Sequence, residues 1–236
     1  MKTRRLVSVI IPAFNEEENI KKVVKDTTGL KKYFSLETIV VSDGSTDKTA
    51  ACAKQAGATK VISYSGNLGK GGAFRKGTEN SSGEYIIQID ADYQFVPSEI
   101  PKLVEALNSG ADVVLGTRYE KDSVREEESV NYIRRFGSYF LSFCTSVAAG
   151  LIITDVMAGF KGFRRNVLDK CQFTSNHFGY EAEISILSAR NGFSVINIPV
   201  SYKRRISGKS NVNTFRDGIR VLTTIAKTGL SSRLLL

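Results

Sequence analysis

Apolar and polar positions alternate in blocks along the first half of the chain. Leu6 to Ile11 is a continuous apolar run that stops at Pro12. Glu37 to Ser42, Lys60 to Ser63, Tyr85 to Ile89 and Ala111 to Thr117 repeat the pattern. Short unbroken runs rich in β-branched residues predict strands buried on both faces, as in a parallel sheet. Helical stretches separate them. One opens at Asn15-Glu16-Glu17-Glu18, with acids where the helix dipole favours them. One follows Asp43-Gly44-Ser45-Thr46-Asp47 to about Ala56, one leaves a glycine-rich turn at 66–73, and one covers Pro97 to Asn108. This alternation predicts an α/β fold with a mostly parallel central sheet flanked by helices.

The second half is less regular. Asp122 to Ser129 reads as a charged loop, and Arg134-Arg135 opens an apolar stretch from Tyr139 to Ile153. Fifteen residues interrupted by Ser, Thr, Cys and Gly are too few to cross a bilayer, so a core or interface helix is expected there. Gly179 to Asn191 predicts a helix, Phe193 to Tyr202 a strand, and 204–210 a basic loop. Phe215 to Leu230 is amphipathic. Phe215, Gly218, Ile219, Leu222, Ala226, Gly229 and Leu230 fall on one face, and Arg216, Asp217, Arg220, Thr223, Thr224 and Lys227 on the other. A surface helix packed on a core and an interfacial membrane helix both look like this.

Bulk properties narrow the class. The 236 residues, 42% hydrophobic and 24% charged, suit a soluble globular chain of one large domain or two small ones. Three cysteines without metal-type spacing imply no disulfide framework and a reducing compartment. The N-terminal apolar run is too short for a signal peptide. Of the net charge of +9, +7 falls from Lys203 onward, where eight Lys/Arg face one Asp. A basic tail on a near-neutral body predicts an anionic partner at that end.

The chemistry centres on Asp90, Ala91, Asp92 and Gln94, where the apolar run Tyr85 to Ile89 ends. Carboxylates there lie at the rim of the sheet, where open α/β folds bind ligands. Two acids so close repel each other, and a divalent cation relieves that repulsion; all-oxygen ligands suit Mg²⁺ or Mn²⁺. The turn Gly66-Asn67-Leu68-Gly69-Lys70-Gly71-Gly72 reads either as a phosphate cradle at a helix start or as a tight turn with a glycine hinge. It lacks the Lys-Ser/Thr pair of a P-loop.

Taken in order, Pro-Ala-Phe-Asn-Glu-Glu from Pro12, Val-Val-Ser-Asp-Gly-Ser-Thr-Asp, Asn-Leu-Gly-Lys-Gly, Asp-Ala-Asp-Tyr-Gln and Gly-Thr-Arg-Tyr resemble a family-2 glycosyltransferase of the GT-A fold. Arg205-x-x-Gly-x-Ser210 extends the likeness over nearly the whole chain to the polyprenyl-phosphate glycosyltransferases, typified by dolichol-phosphate mannose synthase and dolichyl-phosphate glucosyltransferase. The resemblance implies a Rossmann-like catalytic domain over 1–212, with a nucleotide-sugar half to about 118 and an acceptor half from 119. A basic amphipathic interface helix would fill 213–236. It implies that Pro12, Ala13, Glu16, Asp43, Lys70, Asp90, Ala91 and Asp92 bind the nucleotide-sugar, GDP-mannose or UDP-glucose in type. Asp90, Asp92 and Gln94 would hold the metal. Arg118, Arg134, Ser138, Arg205, Lys209 and Ser210 would receive the acceptor phosphate, and Asp92, Arg118 and Asp155 would be catalytic. Glu181 and Glu183 match acidic positions near the sugar. Two departures stand out. Ser42 precedes Asp43 where the family often has two acids, and the chain shows none of the C-terminal transmembrane helices of many relatives. Attachment to the cytoplasmic side of a membrane is therefore expected to be peripheral or through a partner subunit, unless such helices were removed from this sequence.

The side-chain inventory favours a phosphate acceptor. A hydroxyl nucleophile needs a general base. A phosphomonoester, with a second pKa of about 6, is already largely dianionic at neutral pH. The chain has one histidine, His177, and clusters of arginine, the residue for bidentate phosphate recognition. A family-2 transferase acting on a saccharide or protein hydroxyl, with Asp155 or Glu181 as base, is the alternative. A basic adaptor would leave the metal motif idle, the aromatic-basic pattern of a nucleic-acid binder is absent, and a nucleotidyltransferase would need a glycine-rich loop near residue 12.

Overall fold

The computed structural model describes residues 5–126, 132–208 and 213–231. Its strands are β1 (Leu6–Ala13), β2 (Ser35–Asp43), β3 (Lys60–Tyr64), β4 (Tyr85–Gln88), β5 (Val113–Thr117), β6 (Lys161–Arg164) and β7 (Val195–Pro199). They form one sheet in the order β3-β2-β1-β4-β6-β5-β7. All pairings are parallel except those of β6, which runs antiparallel between β4 and β5. The helices are α1 (Ile20–Thr28), α2 (Thr49–Gln55), α3 (Lys70–Glu79), α4 (Ile100–Asn108), α5 (Tyr132–Ala149), α6 (Arg165–Lys170), α7 (Gly179–Arg190) and α8 (Thr214–Ser231).

The two-residue strand period divides the core. Val7, Val9 and Ile11 of β1 pack with α1 and α4 through Val23, Val24, Leu103 and Leu107. Ile10, Ile39 and Ile86 face the other way, against Phe74 of α3, Tyr180 and Ile184 of α7, and Val221 of α8. Strand order reverses between β1 and β4, so the chain ends leaving these strands diverge and open a cleft.

Several sequence expectations shift. The acids after Asn15 do not open a helix, because α1 begins at Ile20. Asn15 takes a left-handed φ of 54°, and the segment is stitched to the turn after β2. The amide of Thr46 donates to Asn15 Oδ1 at 2.8 Å, that of Lys48 to Glu17 Oε2 at 2.9 Å, and that of Glu16 to Thr49 Oγ1 at 2.8 Å. The predicted strand from Phe193 to Tyr202 shortens to Val195–Pro199. The expected apolar helix begins earlier, at Tyr132, and ends at Ala149. On α8 the buried stripe is Asp217, Val221, Ile225 and Thr228, cutting between the two predicted faces, while Phe215, Ile219 and Leu230 stay exposed.

Candidate active site

The first cleft opens above the ends of β1, β2 and β4. Pro12, Ala13, Glu16, Asp43, Lys70, Asp90, Ala91 and Asp92 all line it, around a cavity of about 340 Å³. This is the full set expected to meet the nucleotide-sugar.

Within the cleft Asp43 also braces the glycine turn. Its Oδ1 accepts the Leu68 amide and the Tyr64 hydroxyl, both at 2.8 Å, and its Oδ2 accepts the Gly69 amide at 2.8 Å. Both oxygens are thus spent on the glycine turn. The Gly72 amide goes to the Asn176 carbonyl at 3.0 Å. The amides of Leu68, Gly69 and Gly72 are thus engaged within the protein itself. Gly69 takes φ 89°, and a Cβ there would meet His177 Nδ1 at 2.4 Å, so only glycine admits this approach.

Lys70, at the first position of α3, reaches two carboxylates. Its ammonium lies 2.7 Å from Asp90 Oδ1 and 2.7 Å from Glu181 Oε1. Burial alone would lower its pKa, but Asp90 and Glu181 outweigh that and raise it. Behind it, fully buried Lys161 of β6 donates to Glu181 Oε2 at 2.5 Å and to the Val156 carbonyl at 2.9 Å. Charges therefore alternate along Lys161, Glu181, Lys70 and Asp90.

Asp92 follows at the cleft edge. Burial and the facing Asp90 push its pKa up to about 7. Tyr93, next in line, adopts a left-handed φ of 62°. A non-glycine residue in that region stores strain and is held there by its surroundings. The Lys22 ammonium sits 4.4 Å from the Tyr93 ring centroid, and the Tyr93 hydroxyl donates to Asp26. Gln94 donates its side-chain amide to the Lys203 carbonyl at 3.1 Å, which leaves its own carbonyl oxygen as the part able to ligate. Among the described residues no third His, Cys, Asp or Glu joins the two acids in a metal-binding cluster.

These donors fit a divalent cation. Two carboxylates border one cleft, and Asp90 raises the cost of ionising Asp92. Gly159 leaves room for Asp90, since a Cβ there would lie 2.1 Å from Asp90 Oδ2.

A larger cavity of about 1190 Å³ adjoins the first and shares Lys70, Asp90, Asp92 and Arg205 with it. Gln94, Arg118, Arg134 and Ser138 line it too. Its far walls are apolar, from Ile133, Phe136 and Phe140 of α5 and from Phe215, Ile219 and Leu222 of α8. Arg118 leaves the end of β5 and is gripped by Asp155. Burial opposes its charge, but Asp155 outweighs that and lifts the guanidinium well above its ordinary pKa. Ser138 also donates to Asp155, at 3.2 Å. Asp155, expected to be catalytic, is fully buried behind Arg118 and borders neither cavity. Its position is that of a residue that orients Arg118.

Arg134 donates to Thr214 Oγ1 at 3.4 Å, tying α5 to the first turn of α8. Arg205 pairs with Glu16 and donates to the Ser207 carbonyl at 2.9 Å, closing a bridge across the cleft mouth. Lys209 and Ser210 lie outside the described residues.

The model of the family described as Glycosyl transferase family 2 matches residues 8–172. The chain belongs to glycosyl transferase family 2. It is 30% identical over 211 residues to a dolichol-phosphate mannosyltransferase of Pyrococcus furiosus, covering 87% of this chain and 59% of that protein. It is 27% identical over 228 residues to a dolichyl-phosphate hexose transferase of Haloferax volcanii, covering 97% and 96%. Glucosyl-3-phosphoglycerate synthase from Mycobacterium tuberculosis, solved with Mn²⁺, UDP and glucosyl-3-phosphoglycerate, shares the fold at TM-score 0.74 and 23% identity, over 95% of this chain and 80% of that one. The fold of this glycosyltransferase is thus GT-A.

Several lining residues of the glycosyltransferase escaped sequence reasoning. His177 and Phe178 border the first cleft, as do Arg216, Asp217 and Arg220 of α8. The three α8 residues read as a solvent face because helical periodicity names a polar side without saying what it meets. Lys161 gave no signal at all. A lysine in a four-residue strand looks exposed until its partner, Glu181, is known.

Proposed function

We propose that this glycosyltransferase moves one hexose, with inversion, from a nucleotide-sugar to a polyprenyl phosphate at the cytoplasmic face of a membrane. The observation that carries the reading is the pairing of candidate bases. Asp155 is bound up with Arg118, and Glu181 with Lys161 and Lys70, and both are fully buried. Neither stands free to deprotonate a hydroxyl, whereas a phosphate oxygen needs no base.

The acceptor phosphate would meet Arg118, Arg134 and Arg205 at the junction of the two cavities. Its polyprenyl chain would lie along the aromatic walls of α5 and α8. One phosphate oxygen then attacks the anomeric carbon as the bond from that carbon to the donor diphosphate breaks, with the bonding pair leaving on the diphosphate. Asp90 and Asp92, with the Gln94 carbonyl, would hold Mg²⁺ or Mn²⁺. Such an ion supplies positive charge to the leaving diphosphate. Lys70 adds an ammonium from the other side of Asp90. The relatives named for dolichyl-phosphate transfer support this acceptor class.

Membrane contact rests on exposed residues of the same two helices, some of which also wall the larger cavity. Phe136, Phe143 and Val147 on α5 and Phe215 and Ile219 on α8 are largely exposed. Among the described residues no helix is long and apolar enough to cross a membrane. Attachment at the interface, directly or through a membrane subunit, accounts for this surface.

The test is incubation with labelled GDP-mannose and UDP-glucose, Mn²⁺ and short-chain polyprenyl phosphate, with extraction of lipid-linked sugar. Label appearing only on added saccharide or protein hydroxyls would replace this reading with the hydroxyl-acceptor one.

A further inference from the structure

Glu181 has a feature that the transfer reaction does not use. It is completely buried, and its Oε2 is fixed by Lys161. Its Oε1 accepts no aligned hydrogen bond, although the Lys70 ammonium stands only 2.7 Å away. Lys70 thus hangs between two carboxylates, one sealed in the core and one open to the cleft. Asp90 is a quarter exposed and Glu181 not at all. Lys161 cannot follow Lys70, because it is tied to the Val156 and Ala158 carbonyls as well as to Glu181.

We propose that Lys70 is a built-in counter-cation that occupies Asp90 while the cleft lacks a divalent ion and withdraws to Glu181, its fixed second berth, when the ion arrives. The inference rests on the donor side of the proposed function and is independent of the acceptor. An ammonium and a divalent ion compete for the same carboxylate oxygen, so the lysine guards a pair of acids that would otherwise repel. Once displaced, Lys70 remains at the cleft wall with its charge available to the incoming diphosphate. Glu181 is in this account a positioning residue. It touches neither donor nor ion and acts by setting where Lys70 rests.

The test is Mn²⁺ titration of the whole protein by electron paramagnetic resonance, without acceptor, followed by UDP and GDP titrations at saturating Mn²⁺. Lys70→Met is expected to bind Mn²⁺ alone about tenfold more tightly and the nucleotide about tenfold more weakly, the size of an ordinary coupling between sites. Lys70→Arg should keep nucleotide affinity near that of the native protein. Glu181→Gln is expected to weaken Mn²⁺, because Lys70 then stays on Asp90. In the double variant that weakening should vanish, since no lysine remains to be berthed. Unchanged Mn²⁺ affinity in Lys70→Met, or parallel weakening of Mn²⁺ and nucleotide, would overturn the proposal. So would a Glu181→Gln effect of the same size with and without Lys70, which would mark simple loss of negative charge. Should Glu181→Gln fail to fold by its thermal melt, the opposed shifts in Lys70→Met decide alone. If the native protein binds neither Mn²⁺ nor nucleotide, the donor site itself is wrong; normal donor binding without lipid product would count against the acceptor only.

Discussion

Asp155 grips Arg118 at three points. The Arg118 Nε donates to Asp155 Oδ2 at 2.6 Å, its Nη2 to Oδ1 at 2.8 Å, and its backbone amide to Oδ2 at 3.1 Å. The guanidinium is also flanked by the Tyr202 and Tyr119 rings, with centroids at 4.9 and 5.1 Å. An arginine so held has one orientation, and what it still offers is directed by Asp155. Asp155→Asn removes the compensating charge and leaves a nearly buried cation. Breaking such a pair costs about 3 kcal/mol at the low end, a fall in Tm of about 6–12 °C for a domain of this size. Kinetics should show a raised KM for the lipid phosphate with the donor KM little changed. Equal loss for both substrates would contradict a role confined to the acceptor side.

Ion binding should depend on pH in a defined direction. Asp92 has its pKa raised from 3.8 to about 7. Between those values the folded protein keeps a proton that the unfolded chain has lost. The group's contribution to stability is therefore present at low pH and fades as pH rises through about 7. A divalent ion needs the carboxylate form, so it competes with that proton. The Tm increase on adding Mn²⁺ should be small at pH 6 and large at pH 8, and Asp92→Asn should flatten the difference. An Mn²⁺ effect of constant size across this range in the native protein would show that Asp92 does not titrate there.

Much of the fold could be read from the chain, and the reasons are local. β1, β2, β4 and β5 announce themselves because strands buried on both faces must be apolar throughout. The Asp90 and Asp92 pair follows from where β4 ends. β6 could not be foreseen, since Lys161 at its start is buried only by virtue of Glu181, twenty residues later, and of two carbonyls. Asn15 to Glu18 misled for a related reason. Acids suit a helix start, but here Glu17 accepts from the second turn instead. Both errors concern polar groups whose partners lie far along the chain, which periodicity does not register.

Gly159 should be intolerant of even one added methyl. Its missing Cβ would fall 2.1 Å from one Asp90 carboxylate oxygen and 2.3 Å from the other. In Gly159→Ala the Asp90 side chain must swing away, carrying the Lys70 contact with it. We expect Mn²⁺-dependent nucleotide affinity to drop at least about tenfold, a loss of about 1.4 kcal/mol. The check is calorimetric titration with and without Mn²⁺. Native-like affinity would mean that Asp90 does not need its observed position.

The exposed aromatics can be removed without touching the core. Phe136 is 75% exposed and Phe215 79%. Phe136→Ser with Phe215→Ser should leave the thermal melt almost unchanged. Each phenyl ring entering lipid contributes about 1.5–3 kcal/mol, so binding to phosphatidylcholine–phosphatidylglycerol vesicles should fall at least a hundredfold, as read by flotation. Undiminished flotation would assign this surface another purpose.

α8 belongs to two environments at once. Arg216 and Arg220 line the first cleft while Phe215 and Ile219, one residue before each, wall the larger cavity and stay largely exposed. The helix packs so closely on α7 that a methyl at Gly179 would stand 2.4 Å from the Thr224 hydroxyl oxygen. On the proposed reading, seating its greasy edge in a bilayer also moves two guanidinium groups over the sugar donor. On that reading, where the enzyme sits and how its donor pocket is shaped become a single mechanical variable.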